Sequence, residues 1–198
     1  MKSELMKTRD KNALPRTVDI LSSGGIITYP TETCYGLGAD ATNDAAVKRI
    51  IHAKKRIKEK KISIAFSDIR MAKHYLVIIK NAEKLIKAFM PGPLMLIVES
   101  KSKPQRKVGF RIPDNKFILR LIRKFGKPIT TTSANISGKA ELYKIKDVIK
   151  TFNGKVDLIL DGGNLPKTRP STVYDVVDKK ILRKGPISEK KIREVLNA

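Results

Sequence analysis

Stretches whose apolar residues recur every third or fourth position alternate along this chain with short runs that are continuously apolar or β-branched. That alternation constrains the fold more than any other feature of the sequence. Val18, Ile20 and Leu21 make a short helical pattern that stops at Gly24 and Gly25, a pair suited to a left-handed helix end. Residues 26–29 then read as a buried strand closed by Pro30, which makes residues 31–38 a loop leaving a strand end. Residues 44–55 are helical, with Asn43 as cap and Ala46, Val47, Ile50, Ile51 and Ala53 on the repeating positions. A strand at 62–66 precedes helical material from 68 to about 90, in one or two helices, which Pro91, Gly92 and Pro93 terminate. Strands follow at 94–98 and 108–112, then a helix at 116–125 with Phe117, Ile118, Leu121 and Ile122 on one face. Next come a strand around Ile129, a helix near 145–152, strands at 157–160, 172–177 and 181–183, and a last helix at 189–196 capped by Ser188.

Interleaved strands and helices predict a layered α/β domain with α+β character, and three strands close together near the C-terminus predict a twisted mixed sheet. The 198 residues, 41% of them hydrophobic, supply one sizeable core, so residues 1–198 are expected to form a single domain without internal repeats.

Forty-two Lys and Arg against 19 Asp and Glu give a formal charge of +23, more than solubility requires. A field of that sign suits phosphate-bearing partners: a nucleotide in a pocket, a surface for transfer RNA or double-stranded RNA, or both. An equally weighted account is a compositional preference for lysine. Cys34 is the single cysteine, which excludes an intramolecular disulfide and a cysteine-rich zinc site. His52 and His74 are too few for a histidine-rich metal site, so no protein-held metal is expected. No apolar run approaches the roughly 20 residues of a spanning helix, and the polar first dozen residues lack a signal-peptide core. The expectation is a soluble cytoplasmic protein without membrane contact.

Three segments carry the chemistry. Residues 131–138, T-T-S-A-N-I-S-G, follow an apolar segment with hydroxyls, an amide and a glycine, which places short donors and bare backbone where an anion can sit. Residues 29–38, Y-P-T-E-T-C-Y-G-L-G, leave a strand end, and residues 53–56, A-K-K-R, close a helical pattern. Each alone has a plain structural account: a capped turn, a glycine turn, a solvated basic helix end. Together, in this order, they resemble the YrdC family of threonylcarbamoyl-AMP synthases. Further similar elements are V-G-F-R-I-P at 108–113, D-G-G at 161–163, S-T-V at 171–173 and L-R-K-G at 182–185, so the resemblance runs from about Gly25 to the final helix.

The resemblance implies a YrdC-like fold around a concave cationic cavity, and roles for particular residues. Lys54 and Arg56 would face the triphosphate and be the catalytic pair, a point charge and a planar fork neutralising charge as pyrophosphate leaves. Lys60, Ser133, Asn135 and Arg183 would complete the ATP site. Thr33, Arg111, Thr131 and Ser171 would hold threonine, with Arg111 gripping its carboxylate. Cys34 stands where valine or isoleucine is usual and reads as packing. Departures from the family pattern are Ile57 for proline, Lys107 for threonine or serine, and Glu141 for a small or polar residue. A carboxylate is unfavourable beside phosphates, and Glu141 is left out of the expected site.

The implied reaction joins L-threonine, bicarbonate and ATP, with Mg2+ on the phosphates, into threonylcarbamoyl-AMP and pyrophosphate. A downstream tRNA threonylcarbamoyltransferase would then modify the adenosine next to the anticodon. Two rivals remain: an RNA-binding YrdC-like module without synthase activity, favoured by the charge and the three departures, and a related carbamoyl-adenylate enzyme, since a similar domain occurs in hydrogenase maturation.

Overall fold

The structure is a computed structural model that describes residues 2–55 and 62–198. Its elements run β1 (Glu4–Lys7), α1 (Ala13–Ser22), β2 (Ile27–Pro30), β3 (Tyr35–Gly38), α2 (Asp44–Ala53), β4 (Ser63–Ala65), α3 (Ile69–Tyr75), α4 (Lys80–Phe89), β5 (Leu94–Glu99) and β6 (Lys107–Arg111). They continue with α5 (Lys116–Phe125), β7 (Ile129–Ser133), α6 (Ile145–Phe152), β8 (Leu158–Asp161), β9 (Thr172–Asp175), β10 (Lys180–Arg183) and α7 (Glu189–Asn197). The ten strands form one sheet in the order β1-β8-β2-β3-β7-β4-β6-β5-β9-β10. Pairs β1/β8, β2/β8, β4/β6 and β5/β9 are parallel, and β2/β3, β3/β7, β4/β7, β5/β6 and β9/β10 are antiparallel, so the sheet is mixed as expected.

Several helix ends follow directly from local chemistry. Asn43 Oδ1 accepts from the amides of Ala45 and Ala46, Asn115 Oδ1 from Ile118, and Ser188 Oγ from Lys191, each meeting amides that the helix itself leaves unpaired. Gly24 and Gly126 both take φ of 76°, the left-handed conformation that ends α1 and α5. Helices α1 and α5 pack with Ile27, Tyr29, Leu158 and Leu160, while α2 and α6 pack with Leu37 and Ile159. Leu158 and Leu160 alternate with Ile159 along β8, so these are opposite faces of the sheet. A third cluster joins α4 and α7 to Leu94, Leu96, Phe110 and Tyr174.

Three sequence expectations need correction. Residues 35–38 are not loop but β3, paired antiparallel with β2, so the true loop is residues 31–34. Gly36 and Gly38 read as turn signals, yet they make room for the Tyr29 ring: a Cβ at Gly38 would sit 2.8 Å from one of its carbons. Residues 131–133 belong to β7, whose hydroxyl-bearing end continues the strand rather than leaving it. Strand β1 went unread because E-L-M-K is short, polar at both ends and lies at the sheet edge.

Candidate active site

Strand alternation builds the floor of a cavity of about 280 Å3. Leu94, Leu96, Phe110 and Tyr174 point into the core, whereas Met95, Arg111 and Val173, one position away on the same strands, line the cavity with Ser63 and Thr131. Ser63 pairs with Thr131 and Met95 with Val173 across the ladders, so these side chains form one continuous row. The walls come from strand ends and loops: Thr31, Thr33, Cys34, Lys54, Asn135 and Ser171 among them.

At one end of the cavity, Lys54 caps the C-terminus of α2 with only 3% of its surface exposed. Its ammonium donates to Asn135 Oδ1 at 2.8 Å and to the backbone carbonyl of Ser133. Ser133 Oγ donates to the same Asn135 oxygen at 2.8 Å, and the amide of Ser137 donates to the Lys54 carbonyl at 2.8 Å. The lysine and the serine-asparagine loop therefore fix one another. The ammonium is thereby held at the cavity wall by a backbone carbonyl and a side-chain amide, a fixed donor within reach of an anion.

At the other end, Thr31 organises the loop: its hydroxyl donates to the Cys34 carbonyl at 2.7 Å and lies 3.0 Å from the Thr33 hydroxyl. Thr168 Oγ1 reaches across to the Thr33 carbonyl at 3.1 Å, tying the segment before β9 over this loop. Arg111, 5% exposed at the end of β6, directs Nη1 towards Thr33 Oγ1 at 3.5 Å and Nη2 towards the Gly92 carbonyl at 3.3 Å. Burial pulls its pKa down to about 10, opposed by the Tyr29 phenol and aided by the Arg183 charge, so it stays cationic at neutral pH. Arg183 Nε donates to the Ser171 carbonyl at 3.1 Å.

The structure thus brings Lys54, Ser133, Asn135, Arg183, Thr33, Arg111, Thr131 and Ser171 to one cavity. Arg56, Lys60 and the departure at Ile57 lie outside the described residues. Lys107 is not at the cavity: its ammonium pairs with Asp175 at 3.1 Å and with Asp178, which accounts for a lysine at this position as a tie to the turn after β9. Glu141, excluded from the expected site, does line the cavity, as does Cys34. Burial, and next the Glu141 carboxylate, push the Cys34 thiol up to about 11, so it is protonated at neutral pH and unsuited to nucleophilic attack. Sequence reading also missed Thr31, Ser63, Met95 and Val173; the strand alternation that exposes the last three was available, but not the cross-strand neighbours that make them a floor.

The Sua5/YciO/YrdC family model, described as "Telomere recombination", matches residues 19–185. The threonylcarbamoyl-AMP synthase of Vibrio vulnificus is 30% identical over 87% of this chain and 98% of its own length. The crystal structure of P. abyssi Sua5 complexed with L-threonine superposes with a TM-score of 0.89 at 32% identity, covering 97% of this chain and 60% of that one. E. coli YciO superposes with a TM-score of 0.84 at 25% identity, over 96% of this chain and 97% of its own.

Proposed function

Because the chain belongs to the Sua5/YciO/YrdC family, we propose that it is a threonylcarbamoyl-AMP synthase. The observation that carries this reading is the meeting of two differently built ends in one cavity. A buried lysine locked to Ser133 and Asn135 suits a triphosphate, and a buried arginine beside threonine hydroxyls suits an amino-acid carboxylate. The L-threonine complex of P. abyssi Sua5, a relative of this fold, supports the second assignment.

In the proposed reaction an oxygen of N-carboxylated threonine attacks the α-phosphorus of ATP, the bond to the bridging oxygen breaks, and pyrophosphate leaves. Lys54, with Arg56, would neutralise charge gathering on the departing phosphates, while Ser133 and Asn135 hold the lysine in place. Arg111, Thr33, Thr131 and Ser171 would orient the amino acid, and Arg183 the nucleotide, so that positioning supplies much of the rate. Among the described residues no group of three or more His, Cys, Asp or Glu side chains could hold a metal ion. Mg2+ would arrive on the ATP phosphates and add Lewis-acid polarisation there, with Glu141 the lining carboxylate available to it.

We further propose that residues 1–198 act as one domain in the cytoplasm, that the product passes to a tRNA threonylcarbamoyltransferase, and that the basic surface meets tRNA. Among the described residues no helix is long and apolar enough to cross a membrane. The decisive measurement is pyrophosphate release from ATP with and without L-threonine and bicarbonate. Release that requires both is expected. A chain that binds RNA but releases no pyrophosphate would be the inactive RNA-binding module, and release that ignores threonine would point to another carbamoyl-adenylate chemistry.

A further inference from the structure

Between the two cavity-lining threonines of the 31–34 loop stands a residue that does not line the cavity. Glu32 turns its side chain behind the wall, where it forms an ion pair with Arg111 through Oε1 and Nη2. Apart from that pair, both carboxylate oxygens of Glu32 are buried without a hydrogen-bond partner among the described residues, and so is Nε of Arg111. Glu32 is 19% exposed and the Arg111 side chain 6%.

Such an arrangement has a specific consequence for the guanidinium. A cation taken out of water is costly unless an opposite charge accompanies it. Arg111 meets Glu32 and the Gly92 carbonyl through Nη2, while Nη1 faces Thr33, a cavity-lining residue. One end of the fork is thereby anchored away from the cavity and the other is turned towards it.

Building on the threonine-binding assignment above, we infer that Glu32 is a positioning residue for the substrate carboxylate: it balances the buried Arg111 charge from behind and fixes which end of the guanidinium the substrate meets. Glu32 meets Nη2 and is not among the cavity-lining residues, whereas Nη1 faces Thr33, so an incoming carboxylate would meet a different nitrogen from the one Glu32 holds.

The test is calorimetric titration of L-threonine into the full chain, wild type first, then Glu32→Gln, Glu32→Asp, Arg111→Lys and the Glu32→Gln/Arg111→Lys double variant. KM values for threonine and ATP are taken from pyrophosphate release on the same preparations. Glu32→Gln removes the charge and is expected to raise the threonine Kd about tenfold or more while the ATP requirement holds. Glu32→Asp, which keeps the charge at shorter reach, should fall between, and it decides the matter should the glutamine variant not fold. The double variant should bind threonine no worse than Arg111→Lys alone, because Glu32 acts through that arginine. Unchanged or tighter binding in Glu32→Gln, equal losses for threonine and ATP, or additive penalties in the double variant would overturn the inference. A wild-type chain that ignores threonine would instead overturn the substrate assignment, and that outcome is read before any variant is compared.

Discussion

Lys54 is a residue whose environment changes what its removal should do. A helix-end lysine in solvent could be truncated at little structural cost, but this one is 3% exposed and satisfies both the Ser133 carbonyl and Asn135. Lys54→Met, which keeps the length of the stem, should abolish pyrophosphate release and also lower stability by roughly 1–3 kcal/mol, because buried acceptors lose a charged donor. Product assay and chemical denaturation on one preparation check both halves; full stability with lost activity would mean that the acceptors find other partners. Cys34 offers the opposite case of a residue at the cavity whose chemistry is suppressed. With the thiol held at about 11 against an ordinary 9.0, its thiolate fraction at pH 8 is about a hundredfold below that of a free cysteine. Alkylation by iodoacetamide should therefore be slow at pH 8 and keep accelerating towards pH 11. A rate that levels off near pH 9 would show a normal thiol.

At the scale of elements, what the sequence made legible was whatever short-range chemistry determines. The α5 helix was read with both of its ends, Lys116 and Phe125, from its apolar stripe, and the structure adds an Asn115 cap and a Gly126 stop that agree with it. Helix α6 was read near Ile145–Phe152 without any side-chain cap to mark it, and the helical material from 68 to about 90, which the sequence allows as one or two helices, divides into α3 and α4 between Tyr75 and Lys80. What could not be read depends on partners far along the chain. Gly36 and Gly38 look like a turn until the Tyr29 ring is laid over them, and β1 is a strand only because β8 accepts it, Glu4 beside Leu158. For the site, eight of the ten expected residues meet at the cavity, the other two lying outside the described residues, whereas Glu141 was dismissed on charge alone and Glu32 had no visible role before its arginine was located. The glycine reading has a direct check. Gly38→Ala should cost about 1–3 kcal/mol through overpacking against Tyr29, measured by urea denaturation, and pairing it with Tyr29→Leu should recover part of that loss. A neutral Gly38→Ala would show that the ring can move aside.

Across the whole molecule, the net charge of +23 exceeds anything one ATP requires. If that surface meets tRNA, binding should weaken steeply with salt, since each phosphate contact releases condensed counterions. Discrimination among RNA sequences should be slight, because the chain has no tryptophan and only 6% aromatic residues to stack on bases. Filter binding at two salt concentrations, with pyrophosphate release followed in parallel, tests this; salt-insensitive, sequence-selective binding or RNA-dependent release would contradict it.

The cavity draws on both ends of the sequence, with Thr33 and Lys54 early, Ser171 and Arg183 late, and β9 inserted beside β5 only after most of the chain exists. Synthesis on the ribosome proceeds from the N-terminus, and the sheet cannot close around the pocket until these last strands have emerged. A stalled or prematurely terminated chain therefore carries Lys54 without the part of the wall, Ser171 and Arg183 among it, that completes the enclosure. Such a fragment holds an open half of the cavity, so ligand binding is expected to appear only in chains long enough to include β9 and β10, which a series of C-terminal truncations would check.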